Sequence, residues 1–343
     1  MERAQAGLAL AFEHTPRGVK RLIAGSPITG DGQTLDLDMQ LIVRFTQRGG
    51  EATLAELGVA GARARLDASA RLAGGRAVRG VRTSELTVAG AAGELRARSY
   101  EPESGASGAG IVFFHGGGWV TGSLETHDQP CRALTLHSGA KLISVEYRLS
   151  PESPFPAPVE DAFAAFQDVA ARAGQLGLDA SRIAVAGDSA GGHLAAVTAQ
   201  LSARASGPAP AYQALIYPAV RFGSNPRSRV LFGEGYLLRG SSMDWYESQF
   251  LQAADPTDPR ASPLLAADLA GLAPALIVTA GFDPLRDEAE EYGARLAAAG
   301  VKTVVRRFPG MLHGFFNMGG IAAAPRLALA EIGGAIRAAL AGN

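Results

Sequence analysis

The chain has 343 residues, 47% hydrophobic and 19% charged, with 32 basic against 33 acidic side chains and a formal net charge of -1. No field favours nucleic acid or an anionic membrane, so the expected partner is a small molecule and not nucleic acid. The length suits one large α/β unit with a cap, and the single cysteine, Cys131, excludes an internal disulfide and fits a reducing compartment.

Residues 1–75 read as a helical N-terminal cap segment. The run "GLALAF" is too short for a secretory signal, and no apolar stretch approaches the roughly 20 residues needed to cross a bilayer. A cytoplasmic protein without stable membrane association is therefore expected. In "LDLDMQLIVRFTQRGG" the spacing of Leu37, Leu41 and Phe45 is helical, with a Gly-Gly stop, and "GSPITGDGQ" separates it from what precedes. No alternation typical of strands appears here, so the segment is expected to lie on a core without joining its sheet.

Residues 76–343 change character. "VRGVRTSELTVAG" and "GELRARSYEP" predict an antiparallel hairpin turning at "GAAG". Short apolar runs then alternate with helical ones: "GIVFFHGGGW" as a strand, "HDQPCRALTLHSG" as a helix, "AKLISVEYRL" as a strand and "PVEDAFAAFQDVAARAGQLG" as a helix. "RIAVAGDS" reads as a strand, "AGGHLAAVTAQLSARA" as a helix, and "AYQALIYPAV" and "PALIVTAGFDPL" as strands. A helix in "DEAEEYGARLAAAG", a strand in "KTVVRRFPG" and a last helix from about 324 to 340 complete the chain. Continuous apolar strands separated by helices predict an α/β fold with a mostly parallel sheet covered on both faces. Between Ala219 and Ala275 the rhythm fails, and "GEGYLLRGSSMDWYESQFL" reads as a helix in a cap insertion at about 220–250, a partner for the N-terminal helices.

Ser189 lies at the junction of a strand and a helix, in "GDSAG", which fits G-x-S-x-G. Taken alone the pattern also fits a plain helix cap in a chain rich in Gly and Ala. The sharp turn leaves no room for side chains two positions either side of the serine, where Gly187 and Gly191 stand. A serine needs a base to take its proton and a third group to orient that base. Loops after later strands are where a doubly wound sheet collects such partners. Asp283 in "FDPLRDE" and His313 in "MLHGFF" occupy such loops, in the order Ser, Asp, His. Asp287 and Glu288 are rivals for the acid, but both are expected to begin the next helix as caps or dipole partners. "FFHGGGWV" places three glycines after a buried strand, where backbone N–H groups can approach a developing oxyanion.

"HGGGW", "YRLSPE", "GDSAGG" and "DPLRDE" with a later "HGF" together resemble the bacterial hormone-sensitive-lipase-like esterases (family IV), α/β-hydrolase carboxylesterases. The resemblance runs from about Val78 to the C-terminus, and "ITGDGQTLD" is similar to that family's cap. It implies Ser189 as nucleophile, His313 as general base and Asp283 as orienting acid, with Gly117, Gly118 and the amide of Ala190 as the oxyanion hole. It also implies that His115 braces the glycine loop and that Asp188 bonds locally around the turn. Arg148 and Glu152 are expected to form a structural ion pair. No metal or other cofactor is expected, since His127 and Asp128 in "HDQP" lack a second ligand cluster. Trp119, Phe222, Phe232, Tyr236, Trp245 and Tyr246 are candidates for lining an acyl or alcohol pocket. The expected activity is hydrolysis of short- to medium-chain esters through an acyl-enzyme. A ligand-binding protein on the same scaffold, or an amidase, thioesterase or deacetylase with the same triad, remain the alternatives. Family habit implies a homodimer, which no residue specifies.

Overall fold

A computed structural model describes residues 15–48, 52–75 and 77–341, so "GLALAF" lies outside the described residues. The sequence-predicted strands assemble into one eight-stranded sheet. In chain order these are β3 (Val81–Gly90), β4 (Gly93–Pro102), β5 (Gly110–Phe114), β6 (Lys141–Val145), β7 (Ile183–Asp188), β8 (Tyr212–Ile216), β9 (Ala275–Phe282) and β10 (Thr303–Leu312). Their spatial order is β10-β9-β8-β7-β5-β6-β4-β3. β3 and β4 form the expected hairpin, from Val81 opposite Pro102 to Gly90 opposite Gly93, and β4 meets β6 antiparallel. All pairings from β6 through β10 are parallel.

β5, β7, β8 and β9 are buried at every residue, as strands covered on both faces must be. Strand alternation sends Val112 and Phe114 into one core layer and Ile111 and Phe113 into the other. Each of the two phenylalanines, fully buried, contributes roughly 1.5–3 kcal/mol. α5 (Ala157–Ala171) and α6 (Ala190–Arg204) pack on the Val112 face, while α4 (Asp128–Ser138) and α10 (Ala323–Ala339) pack on the other. α9 (Arg286–Ala298) joins the first layer through Ala289, Tyr292 and Leu296.

The N-terminal region forms α1 (Arg17–Ala24), α2 (Leu37–Arg48) and α3 (Leu54–Gly74). α3 starts from a capping box, with the Thr53 hydroxyl accepting from the Glu56 N–H and the Glu56 carboxylate accepting from the Thr53 N–H. The segment stays out of the main sheet, but the reading of helices and loops alone needs correcting. Thr29–Gly30 (β1) and Gln33–Thr34 (β2) form a two-stranded antiparallel ribbon, separate from the main sheet. Asp31 and Gly32 turn it with positive φ, a local requirement too short to register as alternation. In the interval after β8, α7 (Arg227–Phe232) precedes α8 (Gly240–Leu251), and α8 packs against α3.

The chain runs from β5 outward to β6 and then returns across β5 to β7. The loops after β5 and β7 consequently diverge at neighbouring strands, with Phe114 opposite Gly187 in register. Such a switch point opens a crevice at the carboxyl edge of the sheet, and the glycine loop and the serine turn both fall there.

Candidate active site

Ser189 has φ 56 and ψ -117, a strained conformation between the end of β7 and the start of α6. The room for this turn comes from its glycines. A Cβ on Gly191 would lie 2.5 Å from the Phe114 carbonyl carbon and 2.7 Å from the His115 oxygen. The Ser189 N–H is tied to the Ile216 carbonyl of β8 at 2.9 Å, and its own carbonyl accepts from the His193 N–H at 3.0 Å.

Asp283 follows β9 and is fully buried, while His313 follows β10. Asp283 Oδ2 lies 2.8 Å from His313 Nδ1, and His313 Nε2 lies 3.0 Å from Ser189 Oγ. Asp283 Oδ1 accepts from the Leu285 N–H at 2.8 Å, which fixes the carboxylate plane. Because the carboxylate only accepts, Nδ1 carries the proton and Nε2 is free to accept the serine proton. Tyr217 supports the imidazole, with ring centroids 4.6 Å apart.

Gly117, Gly118 and Trp119 follow β5 with φ of 119, 60 and 60. Among the described residues no group accepts from the Gly117 or Gly118 N–H, and the Ala190 N–H, first in α6, has no partner in its own helix. The Gly117 carbonyl is occupied by the N–H groups of Val120 and Thr121 and by the Thr121 hydroxyl. His115 Nδ1–H donates to the Gly116 carbonyl at 2.8 Å, while the Tyr147 hydroxyl donates to the His115 carbonyl at 2.7 Å. Burial, reinforced by nearby His127, pushes the His115 pKa down to about 3, so it stays neutral.

Asp188 accepts from the Gly116 N–H at 2.9 Å and from the Tyr217 hydroxyl at 3.3 Å, and lies 3.2 Å from His127 Nε2. Burial alone would raise its pKa; His127 and the Gly116 N–H outweigh that and hold it below the usual carboxylate value. His127 therefore faces Asp188 and Asn317, whereas its neighbour Asp128 bonds Arg98, Arg132 and Gln129. Among the described residues no group of three His, Cys, Asp or Glu side chains is arranged to hold a metal ion, and no helix is long and apolar enough to cross a membrane.

A cavity of about 250 Å3 opens on Ser189 and His313. Of the six aromatic candidates, Trp119, Phe222 and Tyr246 line it; Phe232 and Tyr236 pack on Phe282, and Trp245 stands edge-on to Tyr246. Leu54 and Leu66 from α3, Leu237 and Leu238 just before α8, Met243 within it and Leu285 add to the apolar wall. These aliphatic residues have no distinguishing sequence signal, because any amphipathic helix carries such positions.

Two other expectations need correcting. Arg148 and Glu152 do not pair with each other. Arg148 binds buried Asp161 through Nε at 2.7 Å and Nη2 at 2.8 Å, and Glu152 is held bidentately by Arg63 at 2.7 and 2.9 Å. Glu288 does stand in the first turn of α9, but its side chain reaches away from its own helix. Its Oε1 accepts from the N–H groups of Val220 and Arg221 beside the cavity, and Asp287 accepts from the Ser228 N–H.

A carboxylate, an imidazole and a serine in one hydrogen-bonded line at the carboxyl edge of a doubly wound sheet define a class, the serine hydrolases of α/β architecture. Comparison with known proteins agrees: a family model described as the alpha/beta hydrolase fold matches residues 111–317. The carboxylic ester hydrolase LipN of Mycobacterium tuberculosis is 43% identical over 312 residues, covering 88% of this chain and 83% of the relative. An ethyl acetate hydrolase of Pseudomonas putida is 40% identical over 232 residues, 66% of this chain and 73% of that protein. The structure of a hyperthermophilic esterase from the archaeon Pyrobaculum calidifontis matches with a TM-score of 0.84 at 40% identity, covering 90% of this chain and 99% of that one. This chain belongs to the α/β-hydrolase family, among its bacterial hormone-sensitive-lipase-like serine carboxylesterases.

Proposed function

We propose that Ser189, His313 and Asp283 carry out ester hydrolysis, with the N–H groups of Gly117, Gly118 and Ala190 receiving the oxyanion. The observation that carries this reading is the continuous line from Asp283 Oδ2 through His313 to Ser189 Oγ. Ser189 Oγ forms a bond to the ester carbonyl carbon as its proton passes to His313 Nε2. The tetrahedral intermediate collapses with cleavage of the carbon–alkoxide bond, and His313 returns the proton to the leaving alcohol. Water then adds to the acyl-enzyme by the same proton route and releases the carboxylic acid and free Ser189. Even one oxyanion donor is worth about 3 to 4 kcal/mol of transition-state stabilisation.

The apolar cavity of about 250 Å3, walled by residues of both α3 and α8, supports short- to medium-chain acyl groups and the reading of residues 1–75, of which 15–48 and 52–75 are described, as a cap segment joined by the insertion at about 220–250. The name of the Pseudomonas relative, an ethyl acetate hydrolase, points the same way. Free, buried Cys131 supports a cytoplasmic location, and family likeness supports a homodimer, which light scattering tests. The deciding measurement is turnover of p-nitrophenyl butyrate by Ser189→Ala, expected to fall by about 10⁶-fold in kcat. Full turnover in folded variant protein refutes the mechanism, and a rate maximum at palmitate in a chain-length series refutes the acyl limit.

A further inference from the structure

The proposed oxyanion hole draws its donors from two separate elements, the loop after β5 and the first turn of α6. The three N–H groups must converge on one oxygen, and a relative displacement of about 1 Å is enough to cost on the order of 100-fold in rate. Something must therefore hold the loop and the helix in register.

We infer that His193 is a positioning residue that locks the glycine loop to the helix bearing Ser189 and Ala190, through its hydrogen bond to the indole of Trp119. This inference rests on the oxyanion-hole reading above. Trp119 ends the glycine run at φ 60, a conformation that a bulky residue keeps only when its surroundings hold it. Its indole Nε1–H donates to His193 Nδ1 at 3.1 Å, and its face stacks on Phe250 of α8 with centroids 4.3 Å apart and planes 16° apart. His193 stands one turn after Ser189 on α6, and its Nε2 lies 3.0 Å from the Arg260 carbonyl.

The chemistry of the two partners selects a single form of the imidazole. The Arg260 carbonyl can only accept, so Nε2 carries the proton, and the Trp119 indole can only donate, so Nδ1 is bare. Protonation of Nδ1 would set two N–H groups against each other. Burial agrees with this assignment, pushing the His193 pKa down to about 4. His193 is fully buried and does not line the cavity, so it acts on the loop without touching substrate.

The test uses p-nitrophenyl butyrate and a trifluoromethyl ketone, which binds as an oxyanion adduct on serine. His193→Leu removes the acceptor at similar volume, and His193→Asn places an amide oxygen near the position of Nδ1. Trp119→Phe removes the donor and keeps the ring on Phe250. His193→Leu and Trp119→Phe are each expected to lower kcat by about 10- to 100-fold with KM within about 2-fold, and to weaken the ketone in parallel. His193→Asn recovers most of the loss, and the Leu and Phe changes combined lose no more than either alone. Wild-type kcat in folded His193→Leu overturns the inference, as does equal loss in the Leu and Asn variants with unchanged ketone affinity. Should His193→Leu fail to fold, Trp119→Phe decides, and wild-type kcat there overturns it. Ser189→Ala in the same assay separates the two readings. Turnover surviving that change removes the mechanism and this inference together, whereas its loss beside wild-type kcat in the His193 and Trp119 variants removes the inference alone.

Discussion

The sharpest consequence of the serine turn is the effect of one methyl group, introduced as Gly191→Ala. Its Cβ would stand 2.5 Å from the Phe114 carbonyl carbon and 2.7 Å from the His115 oxygen, where ordinary contact begins at 3.4 Å. Both obstacles are backbone at the end of β5, so no side chain can rotate away. Relief requires α6 and β5 to separate by about 1 Å, which moves the Ala190 N–H away from the Gly117 and Gly118 donors. Overpacking of this kind costs typically 1–3 kcal/mol in stability, and a 1 Å misplacement costs about 100-fold in rate. The expected result is a folded but weakened protein whose kcat on p-nitrophenyl butyrate is down by at least about 100-fold. Gly174→Ala is the control, since its Cβ meets nothing within 4 Å and the change is expected to be neutral or stabilising by about 0.4–1 kcal/mol. Thermal melting and steady-state kinetics on both variants decide the matter. Wild-type kcat and melting temperature in Gly191→Ala would refute the steric argument.

Asp283→Asn turns the tautomer round: Oδ1 continues to accept from the Leu285 N–H, so the new amide NH2 faces His313 Nδ1 and strips it of its proton. A drop of about 10⁴-fold in kcat with little change in melting temperature is expected, and more than a tenth of wild-type activity would contradict it. Arg148→Ala leaves the buried Asp161 carboxylate with only the backbone N–H groups of Ala91 and of position 148, so urea unfolding should reveal a loss of about 3 kcal/mol with kcat unchanged. Burial, with the Glu247 carboxyl nearby, pushes the Glu288 pKa up to about 8, against the Val220 and Arg221 N–H donors. A raised folded pKa contributes stability that is present in full below the unfolded value of 4.5 and is lost as pH rises through 8. Glu288→Gln keeps an acceptor for both N–H groups, so its melting temperature should gain on wild type from pH 5 to pH 9; a constant difference would disprove the buried acid.

Much of this protein was legible in the chain because the relevant constraints are local. Buried parallel strands demand unbroken apolar runs such as "GIVFF" and "ALIVTAGF", and the serine turn demands glycine at 187 and 191 whatever surrounds it. Asp283 and His313 were legible as candidates by the same kind of reasoning, since each follows a strand of the sheet at its carboxyl edge, and the structure brings both into one line with Ser189. What only the tertiary structure decided is which polar groups meet. Arg148 chose Asp161 and Glu152 chose Arg63, 89 residues away, and three of six candidate aromatics went to packing away from the cavity. Glu288 turned to backbone N–H groups 67 and 68 residues earlier, and His193 found the Trp119 indole 74 residues before it. Periodicity determines which face of an element is buried, but the partner of a buried polar group depends on how elements distant in sequence pack, and that is settled only when the whole core closes.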